Sequence, residues 1–309
     1  MSVTPTIGRV VVAGGSGAVG SLFAEQLQES GNEVVIVDRA TPGPTHRVTP
    51  FVRGDISDPG AEVADVVRTA HAVLLSVPEP VALVAIGRLL GTLRPDALIA
   101  DTASVKSAVV PALHATATIA GGVEALSLNP MFAPSLGFAG HPVASVVVRD
   151  GRRGRALCDL IEQWGARVVT VTADQHDRLA AAAQALTHTA VLAFGAALAE
   201  LDVDIADLDR IAPPPHTALL SLLARIASGA PEVYWDVQAA NPYAPAARRA
   251  LSRGVSQLEG VVSDGDPAAF VDLLDRLCGV LGPLRGAYRE RSAKALRAIT
   301  TDLTKEIVT

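Results

Sequence analysis

Short apolar runs alternate with helical patterning through the first half of the chain. RVVVAG (Arg9–Gly14) reads as a buried strand, and AVGSLFAEQLQESG (Ala18–Gly31) as a helix closed by glycine. EVVIVD (Glu33–Asp38) predicts the next strand. AVLLSVP (Ala72–Pro78), ALIADT (Ala97–Thr102), EALSLNP (Glu124–Pro130), VASVVVRD (Val143–Asp150) and ARVVTVT (Ala166–Thr172) continue the series, with helical stretches between them. Strands this apolar on both faces must be covered on both faces. The expected architecture is therefore α/β, a Rossmann-type doubly wound and mainly parallel sheet. From Asp174 the strand signals stop. QHDRLAAAAQALTHTAVLAFGAALAELD predicts one long helix; PPHTALLSLLARIASG and PEVYWDVQAAN follow, and from Pro242 the pattern is nearly continuous helix. The expected domains are 1–173, α/β, and 174–309, all helical. The Ala- and Leu-rich helices of the second carry more apolar surface than a small bundle can bury alone, which predicts a homodimer formed through them.

Composition narrows the field. The 309 residues carry a formal charge of −6, which gives no electrostatic case for nucleic acid. Cys158 and Cys278 are the two cysteines, far apart and without metal-ligand spacing. They fit a reducing compartment and no metal site. MSVTPTIGRVVVAGG lacks a basic region followed by a long apolar run, and apolar runs are expected to be interrupted before they reach membrane-spanning length. The expectation is a soluble, cytoplasmic protein with no membrane partner.

At the first strand–helix junction, AGGSGAVG carries Gly15-x-Gly17-x-x-Gly20. The spacing alone is weak. Here it follows a strand, opens a helix and leads to Asp38 at the end of the next strand, and that full context specifies a dinucleotide site. The expected cradle is Gly15, Ser16, Gly17, Ala18, Val19 and Gly20. Gly15 would permit the tight turn, Gly17 the approach of a pyrophosphate, and Gly20 close helix–strand packing, with the helix N-terminus facing the phosphates. Asp38 can accept hydrogen bonds from ribose hydroxyls and repels a 2′-phosphate, which favours NAD over NADP. Arg39 beside it can serve a phosphate and pulls the other way. Ser76-Val77-Pro78 closes a later strand at the sheet edge where such a cofactor lies; an ordinary proline turn is the other reading. GGSGAVG followed by FVRGDISDP (Phe51–Pro59) is also similar to short-chain dehydrogenases and reductases. Their Tyr-x-x-x-Lys is missing, because four residues after Tyr234, Tyr243 and Tyr288 stand Gln238, Ala247 and Ser292.

VVAGGSGAVGSLFAEQL, LLSVP, IADTASVKSAVVPAL, LNPMFAP, QHDRLAAAAQALTH and LLARIASGAPEVYWDV occur in that order. Together they resemble prephenate and arogenate dehydrogenases, the oxidative decarboxylases of tyrosine synthesis, over nearly the whole chain. Ser104-Val105-Lys106, Pro130-Met131-Phe132 and Gln184-Ala185-Leu186-x-His188 carry the specificity. The resemblance implies hydride transfer from C4 of a cyclohexadiene dicarboxylate to NAD or NADP, with loss of the ring carboxylate as CO2 and aromatisation. It implies that Ser104 touches the C4 substituent and that Lys106, in the same motif, contributes to substrate binding. It gives Arg225 the ring carboxylate, which a planar guanidinium can hold bidentately. It gives His188, and Gln184 one turn earlier, the substrate side chain, and makes Tyr234 a wall of the same pocket. Other readings stay open: Ser104 as an N-cap on SVKSAVVPAL, Lys106 as a solvated charge, Arg225 as a surface arginine, His188 and Tyr234 as core residues. Neither the chorismate mutase segment nor the regulatory extension of some relatives is expected within this length.

One position departs. In the family, a histidine before Pro-Met-Phe hydrogen-bonds the C4 hydroxyl and helps to take its proton; here that position is Asn129. An amide cannot act as a general base. His141 introduces the following strand and is out of register as a replacement. Asn129 fits a substrate that needs no base: an amine at C4 donates its lone pair well enough that hydride loss gives an iminium directly. Family members acting on 4-amino-4-deoxyprephenate are known in antibiotic-producing pathways, and the chain resembles that branch. The alternatives are a prephenate or arogenate dehydrogenase that tolerates asparagine, and a catalytically silent NAD-binding protein.

Overall fold

The structure, a computed structural model, describes residues 6–44 and 49–306. The first five residues, on which the reading of the N-terminus partly rests, lie outside that range. The chain forms two compact units. One is the chain up to Ala180 together with Trp235–Pro242; the other is Ala181–Tyr234 with the chain from Tyr243 on.

The first unit runs β1 (Arg9–Ala13), α1 (Ala18–Glu29), β2 (Glu33–Asp38), β3 (Phe51–Arg53), α2 (Ala61–Thr69), β4 (Ala72–Leu75) and α3 (Glu79–Leu89). It continues β5 (Leu98–Asp101), α4 (Val109–Ile119), β6 (Glu124–Pro130), β7 (Pro142–Arg149), α5 (Arg152–Gln163), β8 (Arg167–Thr170) and α6 (Ala173–Ala180). The eight strands make one sheet in the order β3-β2-β1-β4-β5-β6-β7-β8. Every neighbouring pair is parallel except β6 and β7. The strand order reverses between β1 and β4, so a crevice opens at their carboxyl ends. β3 falls within FVRGDISDP and was not among the expected strands; at three residues it is too short to show a period.

The sheet is buried on both faces, as the apolar strands require. Val11 and Ala13 join one core with Val63 and Val67 of α2, Ile86 and Leu89 of α3, and Leu113 of α4. Val10 and Val12 join the other with Phe23 and Leu27 of α1 and Leu157, Leu160 and Ile161 of α5. Burying a Val, Leu or Phe side chain in either core stabilises by about 1.5–3 kcal/mol before entropy is counted.

The second unit opens with a π-helical turn, Ala181–Ala185, and continues α7 (Leu186–Glu200), α8 (Ile205–Asp209), α9 (Pro214–Ala227) and α10 (Pro231–Ala239), the last passing from this unit into the first. α11 (Ala244–Ser263), α12 (Pro267–Leu281) and α13 (Arg285–Glu306) complete it. Among its described residues there is no strand. Large apolar side chains stand open on these helices, among them Val255, Val262 and Val280, at 60%, 63% and 82% exposure. The expectation that apolar runs stop short of spanning length is corrected here. Ala173–Glu200 is helical for 28 residues, with a mean hydropathy of 1.4 in its apolar window. The charges of this helix sit at its two ends, at Asp174, Asp177 and Arg178 in the first turns and at Glu200, and between them Gly195 is the one glycine in an alanine-rich stretch without charge.

Candidate active site

The glycine turn sits at the crevice between the ends of β1 and β4. Its left-handed residue is Gly14, at φ +78°, where a Cβ would lie 2.1 Å from the Ser76 carbonyl oxygen. The tight turn expected of Gly15 thus belongs to Gly14. Gly15 is instead held to glycine by the Ile36 side chain, 2.8 Å from where its Cβ would stand. A Cβ on Gly20 would meet the Gly14 carbonyl oxygen at 2.2 Å, so close helix–strand packing depends on it as expected. Gly17 is the extended N-cap of α1, and no side chain caps that end. The N-terminal amides of Ala18 and Val19 are thereby left to a ligand, with the helix dipole behind them. A cavity of about 300 Å³ is lined by Gly14, Ser16 and Gly17, by Asp38 and Arg39 at the end of β2, and by Ser76, Val77 and Pro78 at the end of β4. The Asp38 carboxylate accepts from the Ser16 and Ala40 amides at 2.9 Å each, tying the turn to β2. Arg39 is 77% exposed and 3.9 Å from Asp55. An open anion-binding helix end, an acidic group at the end of β2 and a cavity between them fit a dinucleotide.

Beside this cavity the sequence reading missed Glu79, the first residue of α3. Its side chain is half-buried, and its Oε2 atom is buried without a partner. Burial raises its pKa above the usual carboxylate range; Asp236, Asp177 and Asp101 push the same way and Lys106 opposes them. A Glu-Pro pair at a helix start reads as an ordinary first turn, so nothing in the sequence marks it.

A buried polar chain lies under the ends of β5 and β6. Lys106 is fully buried. Its Nζ donates to the carbonyl oxygens of Ala103 and Leu128 at 2.7 Å each and sits 3.5 Å from Asp101 Oδ1. All three donors are taken by the protein, so Lys106 is corrected from a substrate-binding residue, and equally from a solvated charge, to an internal tie. The two carbonyls it holds belong to the residues immediately before Ser104 and Asn129, so it brings these two positions together. Burial lowers the Lys106 pKa, against the pull of Asp101. Ser104 is half-buried in a bend. It is not an N-cap, because α4 starts at Val109 behind an uncapped Ala108. The segment before the helix is held instead by Asp101, which accepts from the Ala103 amide at 2.8 Å, and by Asp177, which accepts from the Lys106 and Ser107 amides at 2.9 Å each.

Asn129 is 2% exposed, and its Nδ2 lies 3.0 Å from Nε2 of His176. His176 Nδ1 lies 2.8 Å from Asp177 Oδ1. His176 and Asp177 were not singled out in the sequence. They sit on α6, within QHDRLAAAAQALTH, where they read as an amphipathic first turn. His141 is a structural residue: its ring stacks on Phe132 with centroids 5.0 Å apart and its Nδ1 meets the Gly137 carbonyl at 3.1 Å.

In the second unit, Gln184 lies in the π-helical turn and His188 one turn further on. π-Helical turns inside α-helices recur at functional sites. Gln184 Oε1 and His188 Nδ1 are both buried without a partner. Tyr234 meets the His188 ring edge-on, with centroids 5.0 Å apart. Gly229 makes room for it, since a Cβ there would stand 2.6 Å from the tyrosine ring. Arg225, exposed near the end of α9, adds to burial in lowering the His188 pKa. The four residues therefore form one neighbourhood of this unit, with a cation and two orphaned polar atoms suited to an anionic, hydrogen-bonding ligand.

The doubly wound sheet, its glycine cradle and the polar cluster beside it define a dinucleotide-dependent enzyme of the oxidoreductase type. Comparisons make the class specific. The profile of the prephenate dehydrogenase dimerization domain matches residues 172–276, and that of the NAD dependent epimerase/dehydratase family matches residues 10–79. A protein of Streptomyces pristinaespiralis named 4-amino-4-deoxyprephenate dehydrogenase is 53% identical, over 92% of this chain and 94% of its own. The T-protein of Enterobacter agglomerans is 29% identical, over 96% of this chain and 74% of its own. Among solved structures, prephenate dehydrogenase from A. aeolicus superposes with a TM-score of 0.69 at 19% identity, covering 87% of this chain and 96% of that one. The chain belongs to the prephenate dehydrogenase family.

Proposed function

We propose that the chain is an NAD-dependent, decarboxylating 4-amino-4-deoxyprephenate dehydrogenase that yields 4-aminophenylpyruvate, CO2 and NADH. The observation that carries this reading is Asn129, a buried amide at the position where the family resemblance places a histidine. The 53% identical relative of that name supports it. NAD, when bound, supplies the hydride acceptor. The cradle from Gly15 to Gly20 and Ser76-Val77-Pro78 would hold it, and Asp38 would favour the form without a 2′-phosphate. Ser104 and Asn129 are assigned to the C4 substituent. Arg225 is assigned to the ring carboxylate, and His188, Gln184 and Tyr234 to the pyruvyl side chain. With nitrogen at C4, its lone pair carries the developing positive charge as hydride leaves. The C1–CO2 bond then breaks, and its electrons complete the aromatic ring. No group need take a proton from the substituent before hydride leaves, so an amide is sufficient at position 129. Residues 1–173 are read as the dinucleotide-binding domain, and the exposed apolar faces of 174–309 as the surface of a homodimer.

Steady-state turnover of both dienes tests this. The wild-type protein should prefer 4-amino-4-deoxyprephenate to prephenate. Asn129→His should gain prephenate activity, because a positioned general base contributes roughly 10²–10⁴-fold. A wild-type preference for prephenate would refute the reading, and NAD binding without turnover of any diene would leave a silent binding protein.

A further inference from the structure

We infer that His176, held by Asp177, is a positioning residue that fixes which end of the Asn129 amide faces the substrate, and thereby selects a hydrogen-bond donor at C4. The inference rests on the reading above for the identity of that donor, an amine. It rests on the geometry alone for the orientation.

Asp177 is 1% exposed, and its carboxylate accepts from two backbone amides, Lys106 N on Oδ1 and Ser107 N on Oδ2. A carboxylate that takes a backbone amide on each oxygen presents an acceptor to its next partner. The proton in its 2.8 Å contact with His176 therefore resides on the imidazole Nδ1. In the neutral ring that leaves Nε2 bare, and a bare nitrogen accepts. Across the 3.0 Å contact Asn129 must then present its NH2 group. The amide carbonyl is turned the other way, and Oδ1 takes no hydrogen bond from the described residues. An asparagine free to rotate offers a donor or an acceptor with little preference. Locked in this way, Asn129 offers only an acceptor, which an N–H or O–H at C4 can satisfy, and an amine does so while keeping its lone pair for the ring. The chain Ser107/Lys106 amides–Asp177–His176–Asn129 thus carries a fixed backbone polarity to the substrate side of the site.

Two variants and one spectrum test this. Glutamine at position 176 can repeat the pattern, donating to Asp177 and accepting from Asn129. Phenylalanine keeps the ring and does neither. The readout is KM for 4-amino-4-deoxyprephenate, which does not depend on the fraction of protein folded, with KM for NAD on the same sample as the control. His176→Phe should raise KM for the diene about tenfold, the worth of one neutral hydrogen bond, His176→Gln should keep it near the wild-type value, and KM for NAD should stay unchanged in both. The full-length wild-type chain labelled with 15N-histidine gives an independent readout. His176, identified as the resonance lost in His176→Gln, should show a protonated Nδ1 and an unprotonated Nε2. An unchanged KM for the diene in His176→Phe, or a proton on Nε2, overturns the inference. If His176→Phe does not fold, the ring resonances decide. A wild type that prefers prephenate refutes the assigned substrate, while the same resonances still decide the amide's orientation.

Discussion

Lys106→Met removes the ammonium and keeps most of the side-chain volume, so its effect isolates the polar contacts. Three are lost: the carbonyls of Ala103 and Leu128, each at 2.7 Å, and Asp101 Oδ1 at 3.5 Å. Asp101 is fully buried, and its Oδ2 already lacks a partner. Stranding such a carboxylate costs about 3–5 kcal/mol, and the two carbonyls left without this donor add to the same side. Unfolding in urea, at one fixed protein concentration, gives the loss from the midpoint and slope. Adding Asp101→Asn removes the stranded charge, so the double variant should recover part of the loss, with a coupling of roughly 0.5–3 kcal/mol. The pH dependence has a definite sign. Burial holds the Lys106 pKa below its ordinary 10.5. Between the folded value and 10.5 the unfolded chain carries a proton that the fold lacks, so wild-type stability rises with pH across that window, and the gain is lost as pH falls through the folded value. A Lys106→Met protein within about 1 kcal/mol of wild type would refute the claim that this ammonium ties the Ser104 segment to β6, because even the low end of the cost of a broken buried pair exceeds that.

Gly20→Ala should destabilise the first unit by about 1–3 kcal/mol and weaken NAD binding in titration calorimetry, because the new Cβ falls 2.2 Å from the Gly14 carbonyl oxygen; unchanged melting and affinity would sink it. His188 should make the protein acid-sensitive. Burial, then Arg225, lowers its pKa from 6.5, so the stability it contributes is full above about 6.5 and lost as pH falls through the folded value. The difference in melting temperature between wild type and His188→Asn should shift against wild type on acidification through that window, and a constant difference would show that the ring is not held neutral by its surroundings.

What the sequence showed and what it hid divide along a physical line. Periodicity located β1, β2 and β4 because each must be apolar on both faces, and it located the helical second half because no period of two survives beyond Thr172. It missed β3, where three residues leave no period to see. It placed the turn at Gly15 because spacing alone cannot say which of two adjacent glycines takes the positive φ; that is set by Ser76, some 60 residues on, whose carbonyl crowds Gly14. The candidate site shows the same limit more sharply. Asn129 was legible as a departure from a pattern. The reason it can serve was not, because His176 and Asp177 are 47 residues and more away on another element and look like an ordinary amphipathic turn.

Lys106 was legible as part of a motif but was given the wrong role, since a lysine is almost never fully buried unless its charge is met, and nothing local announces that two carbonyls and a carboxylate will meet it. A residue type predicts what chemistry is available. Only the partners decide whether that chemistry faces inward or toward a ligand. On that test Lys106 faces inward, whereas Gln184 Oε1 and His188 Nδ1 are buried and still open to a partner. These two atoms are therefore the better candidates for contact with a substrate.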